Sequence, residues 1–189
     1  SDVYKRQVLD VCPPIPAEKR VLEIAVERTH KWAIRGRNHF LLREKSFENE
    51  RAQFGIIQGG LDPKLRQISA EQIVEIGFDG YAIGGLSVGE TRQEMIEPMQ
   101  ISADALPNQQ PRYFMGLGDP AGLVEAIACG VDMFDCVWPT RLARHGTALT
   151  MQGRVNLGAA RYAKSDDAID PDFNISHASR WSRGYIRHL

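Results

Sequence analysis

Short apolar segments alternate with helical segments along most of this chain, and that alternation is the feature that most limits its possible folds. Segments 54–60, 80–85 and 112–118 each end in glycine or polar residues before the next helical pattern begins. Parallel βα units produce this order, because a crossover helix must return the chain to the start of the next strand. Polar or glycine positions after every strand favour a barrel over an open sheet, since successive loops would surround one mouth. We therefore expect an α/β fold, the C-terminal part of a (β/α)8 TIM-type barrel.

Five strand ends are predicted from the apolar runs and the polar or glycine residues that follow them. They are Asp10, Gln58, Gly84 to Gly85, Met115 to Gly116, and Asp135. Five units are too few for eight strands, so we expect the other three upstream of Val8. The helices are predicted over Ala17 to Ile34 with an end near Gly36, after Asp62-Pro63, over Thr91 to Ala105, and after Asp119-Pro120. From Arg141 the alternation stops, and 146–156 is typical of a hairpin that turns near Gln152-Gly153.

Both ends of the chain look cut. Residues 1–7 have no periodicity and match what a common transposon-based sequencing adapter encodes in frame, so we interpret them as a scar outside the fold. The chain stops at Leu189, directly after a stretch with helical periodicity and no stop signal. We therefore predict an internal fragment, with residues 8–145 as a partial barrel that contains the active site and residues 146–189 as a smaller, truncated element.

Composition excludes several classes of protein. The apolar runs are far shorter than the roughly 20 residues of a spanning helix, and no leader opens the chain, so we expect a cytoplasmic protein without membrane contact. Three cysteines without metal-type spacing argue against a disulfide framework and a cysteine-only zinc site. The net charge is −1, so any contact with nucleic acid must use a local basic face.

Asp135 ends a short apolar run and is followed by Pro139, Thr140, Arg141 and Arg144. A carboxylate at the end of a buried strand, close in sequence to two arginines, indicates a nucleophile beside the docking site of a polyanion. The alternative for such an aspartate is a helix cap or a structural hydrogen-bond acceptor. From the aspartate alone the two interpretations stay open, and its neighbouring motifs decide between them.

Four segments, 54–60, 80–90, 113–118 and 134–141, together resemble the bacterial tRNA-guanine transglycosylases, in order and at the spacing of that family. The resemblance runs from about Val8 to Leu189. It implies a (β/α)8 barrel with a small zinc-bearing element near its C-terminal end, and it implies a homodimer. It also implies exchange of guanine at the wobble position of tRNAs with GUN anticodons for 7-aminomethyl-7-deazaguanine, in queuosine biosynthesis.

The residues suit that chemistry. Breaking an N-glycosidic bond while the ribose stays attached requires a nucleophile that holds the anomeric carbon, and the resemblance assigns this role to Asp135. A guanine-like base needs a carboxylate for N1–H and N2–H, which Asp10 would supply, and donors for O6, which Gln58 and the Gly85 N–H would supply. Met115 and Tyr113 are candidates to sandwich the ring. The full predicted substrate-binding set is Asp10, Cys12, Gln58, Gly84, Gly85, Leu86, Tyr113, Met115 and Gly116.

Arg141 and Arg144 match positions of the family that contact tRNA phosphates. Arg154 and Lys164 would extend the same basic surface. The anticodon loop has to open for the base to enter a pocket, so we expect unpaired nucleotides to be recognised. Cys12 and Val88 are typical of the bacterial enzymes. A smaller residue at position 88 would suit the bulkier queuine.

The chain departs from the family in two respects. Phe173, Ile175 and Ala178 stand where three zinc-binding cysteines are expected, and His177 alone cannot hold a structural ion. We therefore predict no metal and no other cofactor, and a relic of the zinc subdomain in which Phe173 and Ile175 fill the space of the ion. The Ser-Gly-Gly-Phe-Gln type of loop that contains the family's general base has no match, so we expect the fragment alone to be inactive.

Two other functions remain open. A barrel glycosidase or a phosphate-binding lyase would use Asp10 and Asp135 as a carboxylate pair, but it leaves the glycine-rich loop 84–90 and the arginines unexplained. A noncatalytic tRNA-binding partner subunit would not need Asp10, Gln58 and Asp135.

Overall fold

The computed structural model describes residues 5–44, 51–173 and 180–189. It divides the chain into two compact units, Ser1–Cys136 and Val137–Leu189. Among the described residues, no helix is long and apolar enough to cross a membrane.

The first unit contains one parallel sheet of five strands whose spatial order is their sequence order. The strands are β1 Lys5–Gln7, β2 Ala52–Ile57, β3 Gly80–Ile83, β4 Arg112–Met115 and β5 Met133–Asp135. Four helices connect them, namely α1 Lys19–Glu44, α2 Pro63–Ile76, α3 Arg92–Asp104 and α4 Pro120–Ala128. The predicted α/β class with parallel βα units is confirmed, and closure into an eight-stranded barrel stays a prediction. All five carboxyl ends lie along one edge of the sheet, where ligand sites of such folds are found.

The core lies on both faces of the sheet, and β3 shows this best. Tyr81, Ala82 and Ile83 are each at most 2 % exposed, and Ile73 of α2 and Met99 of α3 are fully buried in the same cluster. Strands that are covered on both faces read as continuous apolar runs, which is the pattern of this segment. The rigid core fixes the positions of the loops that follow β3 and β4.

Local signals predicted the starts of α2, α3 and α4 correctly, whereas α1 begins at Lys19, two residues after the predicted Ala17. Asp62 accepts hydrogen bonds from the N–H groups of Lys64 and Leu65 at 2.9 and 3.0 Å and caps α2. Thr91 and Glu94 form a capping box at α3, and Asp119 caps α4.

The predicted end of α1 near Gly36 is wrong, because the helix continues to Glu44. The Gly36 carbonyl accepts a hydrogen bond from Gln53 Nε2 at 3.3 Å, and a Cβ at this position would lie 3.4 Å from Val8 Cγ1. Helix and sheet therefore approach closely at Gly36. Tertiary contact of this kind outweighs the roughly 1 kcal/mol by which glycine disfavours a helix interior.

Strand β1 includes residues that the sequence analysis placed outside the fold. Lys5–Gln7 pair with Ala52, Gln53 and Phe54, and the Val8 N–H donates to the Phe54 carbonyl at 3.2 Å. The strand ends at Gln7, three residues before the predicted end at Asp10. The origin of residues 1–7 in an adapter stays a prediction.

The second unit consists of α5 Trp138–Arg144, the antiparallel hairpin β6 Thr147–Thr150 and β7 Gly153–Asn156, a 3-10 turn Ala160–Tyr162, and α6 Arg183–His188. The predicted hairpin is confirmed. The division after Cys136 precedes the predicted domain boundary at residue 145, because α5 packs against β6.

Candidate active site

A cavity of about 420 Å³ opens at the carboxyl edge of the sheet. Both predicted site carboxylates, Asp10 and Asp135, line it. Its other walls come from strands β1 and β4 and from the loops after β1, β3 and β4. They are Gln7, Cys12, Gly84, Gly85, Leu86, Val88, Tyr113, Met115 and Gly116. A wider groove of about 550 Å³ lies along the outer surface of α1, away from every predicted site residue. The convergence of separate strand ends makes the smaller cavity the candidate site.

Asp135 is held by two donors from β4 and the loop that follows it. Tyr113 donates its hydroxyl to Asp135 Oδ1 at 2.5 Å, and the Gly116 N–H donates to the same oxygen at 3.1 Å. Met115 pairs with Asp135 in the register of the two strands. Tyr113 lies two residues before Met115 and therefore points to the same face of the sheet. Among the described residues, Asp135 Oδ2 has no hydrogen bond, so one oxygen is oriented and the other is available.

Tyr113 was predicted to sandwich a substrate ring. In the structure its hydroxyl binds Asp135. The side chain lines the cavity but is only 5 % exposed, and its ring packs edge-on against Phe54 at 6.4 Å. Burial, then the hydrogen bond to Asp135 and the charge of that carboxylate, raise the pKa of Tyr113 to about 12. The phenol therefore stays protonated and donates to Asp135 at any physiological pH.

Asp10 is positioned by Gln58. Gln58 Nε2 donates to Asp10 Oδ2 at 2.6 Å, and the Gln58 N–H donates to Ser69 Oγ at 3.0 Å. Gln58 is fully buried and does not line the cavity, although it was predicted to contact a base directly. Its buried Oε1 has no hydrogen-bond partner among the described residues. The nearby Cys12 thiol has a raised pKa, because of burial and then the Asp10 carboxylate.

The loop after β3 closes one side of the cavity. Gly85 has φ +68°, and a Cβ at this position would lie 2.3 Å from Gln58 Oε1, so both backbone conformation and space require glycine. Leu86 is 2 % exposed and also lines the cavity. The Glu90 carboxylate accepts hydrogen bonds from the N–H groups of Ser87 and Val88, the latter at 3.0 Å. These bonds hold the part of the loop after Leu86 from within the loop itself.

Sequence reasoning missed Arg66. Its side chain is fully buried in α2 and donates to the carbonyls of Gly60, Gly84 and Gly85 at 2.8, 2.6 and 3.0 Å. The available signal was its place on the inward face of the predicted helix, three residues before Ser69, which is also buried. An arginine on an apolar helix face needs partners, and here the partners are loop carbonyls.

Arg141 and Arg144 lie in the last turn of α5 and are exposed. They belong to the second unit, whereas the cavity belongs to the first. Residues 137–189 contain eight arginines and lysines and four acidic residues, which gives this segment a net charge of +4, against −1 for the whole chain. The positive charge is therefore concentrated in the second unit.

The predicted zinc positions do not fit a metal. Neither Phe173 nor Ile175 nor Ala178 has an atom that binds zinc. Phe173 is 41 % exposed, which does not fit the prediction that it fills the space of an ion. Ile175, His177 and Ala178 lie outside the described residues.

Comparison with known proteins gives a consistent result. The family described as queuine tRNA-ribosyltransferase matches residues 1–189. A queuine tRNA-ribosyltransferase of Thermotoga neapolitana is 49 % identical over 180 residues, which are 95 % of this chain and 47 % of that protein. One from Solidesulfovibrio magneticus is 46 % identical over 189 residues, 100 % of this chain and 49 % of that protein. The chain thus spans about half the length of the curated relatives that it matches.

Proposed function

Because the chain belongs to the queuine tRNA-ribosyltransferase family, we propose that the protein containing it is a pentosyltransferase that exchanges the wobble guanine of GUN-anticodon tRNAs for 7-aminomethyl-7-deazaguanine. The observation that supports this most directly is the convergence on one cavity of Asp10, from the loop after β1, and Asp135, at the end of β5, which are 125 positions apart in the sequence. The volume of about 420 Å³ lies within the range of small-molecule sites.

In the proposed reaction, Asp135 Oδ2 attacks C1′ of the ribose. A C1′–O bond forms, the C1′–N9 bond breaks, and its electron pair leaves with guanine. Tyr113 and Gly116 hold Oδ1, so they fix the plane of the carboxylate and turn the other oxygen toward the cavity. The covalent intermediate keeps the tRNA attached while one base leaves and another enters.

The incoming base then attacks C1′ through N9, the C1′–O bond to Asp135 breaks, and the N9 proton has to be accepted by a general base. The family's general-base loop has no match in residues 1–189. We propose that this group lies elsewhere in the longer protein, and that residues 8–189 alone do not catalyse exchange.

Base recognition would use the wall opposite Asp135. Asp10 Oδ1 is free to accept from N1–H and N2–H, because Gln58 binds only Oδ2. The Gly85 N–H would donate to O6. Gln58 is too deeply buried in this structure to reach the base itself, so we propose that it acts by orienting Asp10.

The tRNA would contact the second unit, whose net charge of +4 suits a polyanion. Arg141 and Arg144 are exposed on α5 and are our candidates for phosphate contacts. We propose that this unit folds without zinc. Internal bonds support this, since Asp170 accepts from the Met151 N–H at 2.7 Å. Stoichiometric zinc in the purified protein, measured by elemental analysis, would contradict that part of the proposal.

The decisive experiment traps the covalent intermediate in the protein that contains this chain. Incubation with a GUN-anticodon tRNA and 9-deazaguanine should give a protein–RNA adduct that survives denaturing electrophoresis, and Asp135→Asn should abolish it. Asp132→Asn is the matched control, because Asp132 is exposed on the same segment and accepts only from the Arg112 N–H. Unchanged adduct with Asp135→Asn would refute the proposal. Wild-type binding of tRNA without any adduct would instead identify a noncatalytic partner subunit.

A further inference from the structure

We propose that Arg66 is a positioning residue that sets the donor direction of the Gly85 and Leu86 N–H groups toward the base. This inference rests on the proposed function, since it concerns the recognition of a 6-oxo purine. It assigns a role in specificity to a side chain that has no access to the cavity.

The hydrogen bonds of Arg66 all go to the backbone of two loops. Its Nη1 donates to the Gly84 carbonyl at 2.6 Å, its Nη2 to the Gly85 carbonyl at 3.0 Å, and its Nε to the Gly60 carbonyl at 2.8 Å. The guanidinium fork therefore connects the loop after β2 with the loop after β3. The planar group has five donors in a fixed geometry, which suits several carbonyls at once.

The direction of the N–H groups follows from the planarity of the peptide bond. In a trans peptide unit the carbonyl and the N–H of the next residue point in opposite directions. The Gly84 and Gly85 carbonyls point at Arg66, so the N–H groups of Gly85 and Leu86 point away from it. The Gly85 N–H faces Cys12, which lines the cavity. The Gly85 donor thus lies on the side of the cavity, and the Leu86 donor points away from Arg66 in the same sense.

The charge of Arg66 would also strengthen these donors. Among the described residues no carboxylate lies within ion-pair distance of the guanidinium. The Glu90 carboxylate interacts with its charge from farther away, and the groups that the guanidinium binds directly are peptide carbonyls. Burial lowers the pKa of Arg66 to about 9, which still leaves it protonated at neutral pH. A cation that donates to a carbonyl polarises the peptide unit and makes its N–H a better donor.

The test compares base affinities in the wild-type protein and in Arg66→Lys, which keeps the charge but loses the fork. Three bases are used, namely guanine, 6-thioguanine, whose sulfur is a weak acceptor at position 6, and hypoxanthine, which lacks only the 2-amino group. We expect Arg66→Lys to weaken guanine binding roughly tenfold. It should lower the preference for guanine over 6-thioguanine and leave the preference for guanine over hypoxanthine unchanged, because the latter depends on Asp10.

Each outcome is decisive. An equal loss for all three bases, or no loss, would overturn the role of Arg66 and reduce it to a structural one. A wild-type protein that binds none of the bases would instead refute the proposed function.

If Arg66→Lys does not fold, the wild-type protein provides the second measurement by NMR. Guanine should shift both the Gly85 amide proton and the Arg66 Nη protons, which bind the Gly84 and Gly85 carbonyls, and 6-thioguanine should shift both less. An Arg66 signal that does not respond to guanine would also overturn the inference.

Discussion

Replacing Gly85 with alanine tests the geometry on which the site depends. The new Cβ would lie 2.3 Å from Gln58 Oε1, and the residue would have to adopt φ +68°. The Gln58 side chain cannot move away at low cost, because it is fully buried, its Nε2 is bonded to Asp10, and its backbone is held by Ser69. We therefore expect Gly85→Ala to displace Gln58 and to break its bond to Asp10.

A matched variant separates the two contributions to the destabilisation, which are backbone strain and steric conflict. Gly77 has φ +77° in the same unit, and a Cβ there would meet no described atom within 4 Å. Gly77→Ala should therefore show only the backbone strain, about 1–2 kcal/mol. Gly85→Ala adds the steric conflict, for which overpacked sites give about 1–3 kcal/mol. The difference between the two variants in free energy of unfolding isolates the contact with Gln58.

Both effects can be measured on the same proteins. Urea unfolding followed by the fluorescence of Trp32, the tryptophan of the first unit, gives the stability of each variant. Calorimetric titration with guanine gives the affinity. A hydrogen bond to a charged group contributes about 1.5–3 kcal/mol, so loss of the Gln58–Asp10 bond should weaken guanine binding at least tenfold in Gly85→Ala. Gly77→Ala should bind as the wild type does.

Two results would refute this reasoning. Equal destabilisation of the two variants would mean that Gln58 does not pack against Gly85. A destabilised Gly85→Ala protein with wild-type affinity for guanine would mean that the Gln58–Asp10 bond does not position the base.

Three further predictions follow from individual contacts. Because the pKa of Tyr113 is about 12 against a usual 10, the protonated phenol stabilises the fold fully below about pH 10, and this stabilisation is lost as the pH rises through 12. In urea unfolding between pH 9 and 12 the wild type should therefore lose about 2–3 kcal/mol of stability that Tyr113→Phe does not lose. Asp62→Ala should destabilise the first unit by about 1 kcal/mol through loss of the α2 cap, whereas Asp104→Ala, at an exposed helix end, should have little effect. Arg141→Gln and Arg144→Gln should each reduce the slope of log affinity for tRNA against log salt by about 0.7–0.9, measured by filter binding, and an unchanged slope would remove that arginine from the interface.

The sequence was sufficient for features that depend on local signals. The helix starts at Asp62 and Asp119 were predicted because a cap involves residues only a few positions apart, whereas the capping box of Thr91 and Glu94 was not predicted. The parallel order followed from alternation alone. The end of α1 was misplaced because Gly36 was read as a local stop signal, while its packing against Val8 and Gln53 is a long-range contact.

The roles of individual side chains were harder to predict for the same reason. Arg66 binds carbonyls 6, 18 and 19 positions away, and no short pattern contains all three. Tyr113 was assigned to a base because aromatic rings commonly stack on bases, and its bond to Asp135 spans 22 positions. Gln58 was assigned to O6 by residue type, while its burial beneath Gly85 depends on the approach of β2 and β3.

The two carboxylates of the cavity differ in how firmly they are held, and the difference matches the two tasks proposed for them. Asp135 has two donors on Oδ1, which fixes the plane of its carboxylate and so the direction of attack by Oδ2. Asp10 has one donor among the described residues, the amide of Gln58, on Oδ2. One hydrogen bond leaves the carboxylate free to rotate about it, which suits a group that must release one base and accept another. Nucleophilic attack tolerates little misalignment, so the firmer support belongs at Asp135.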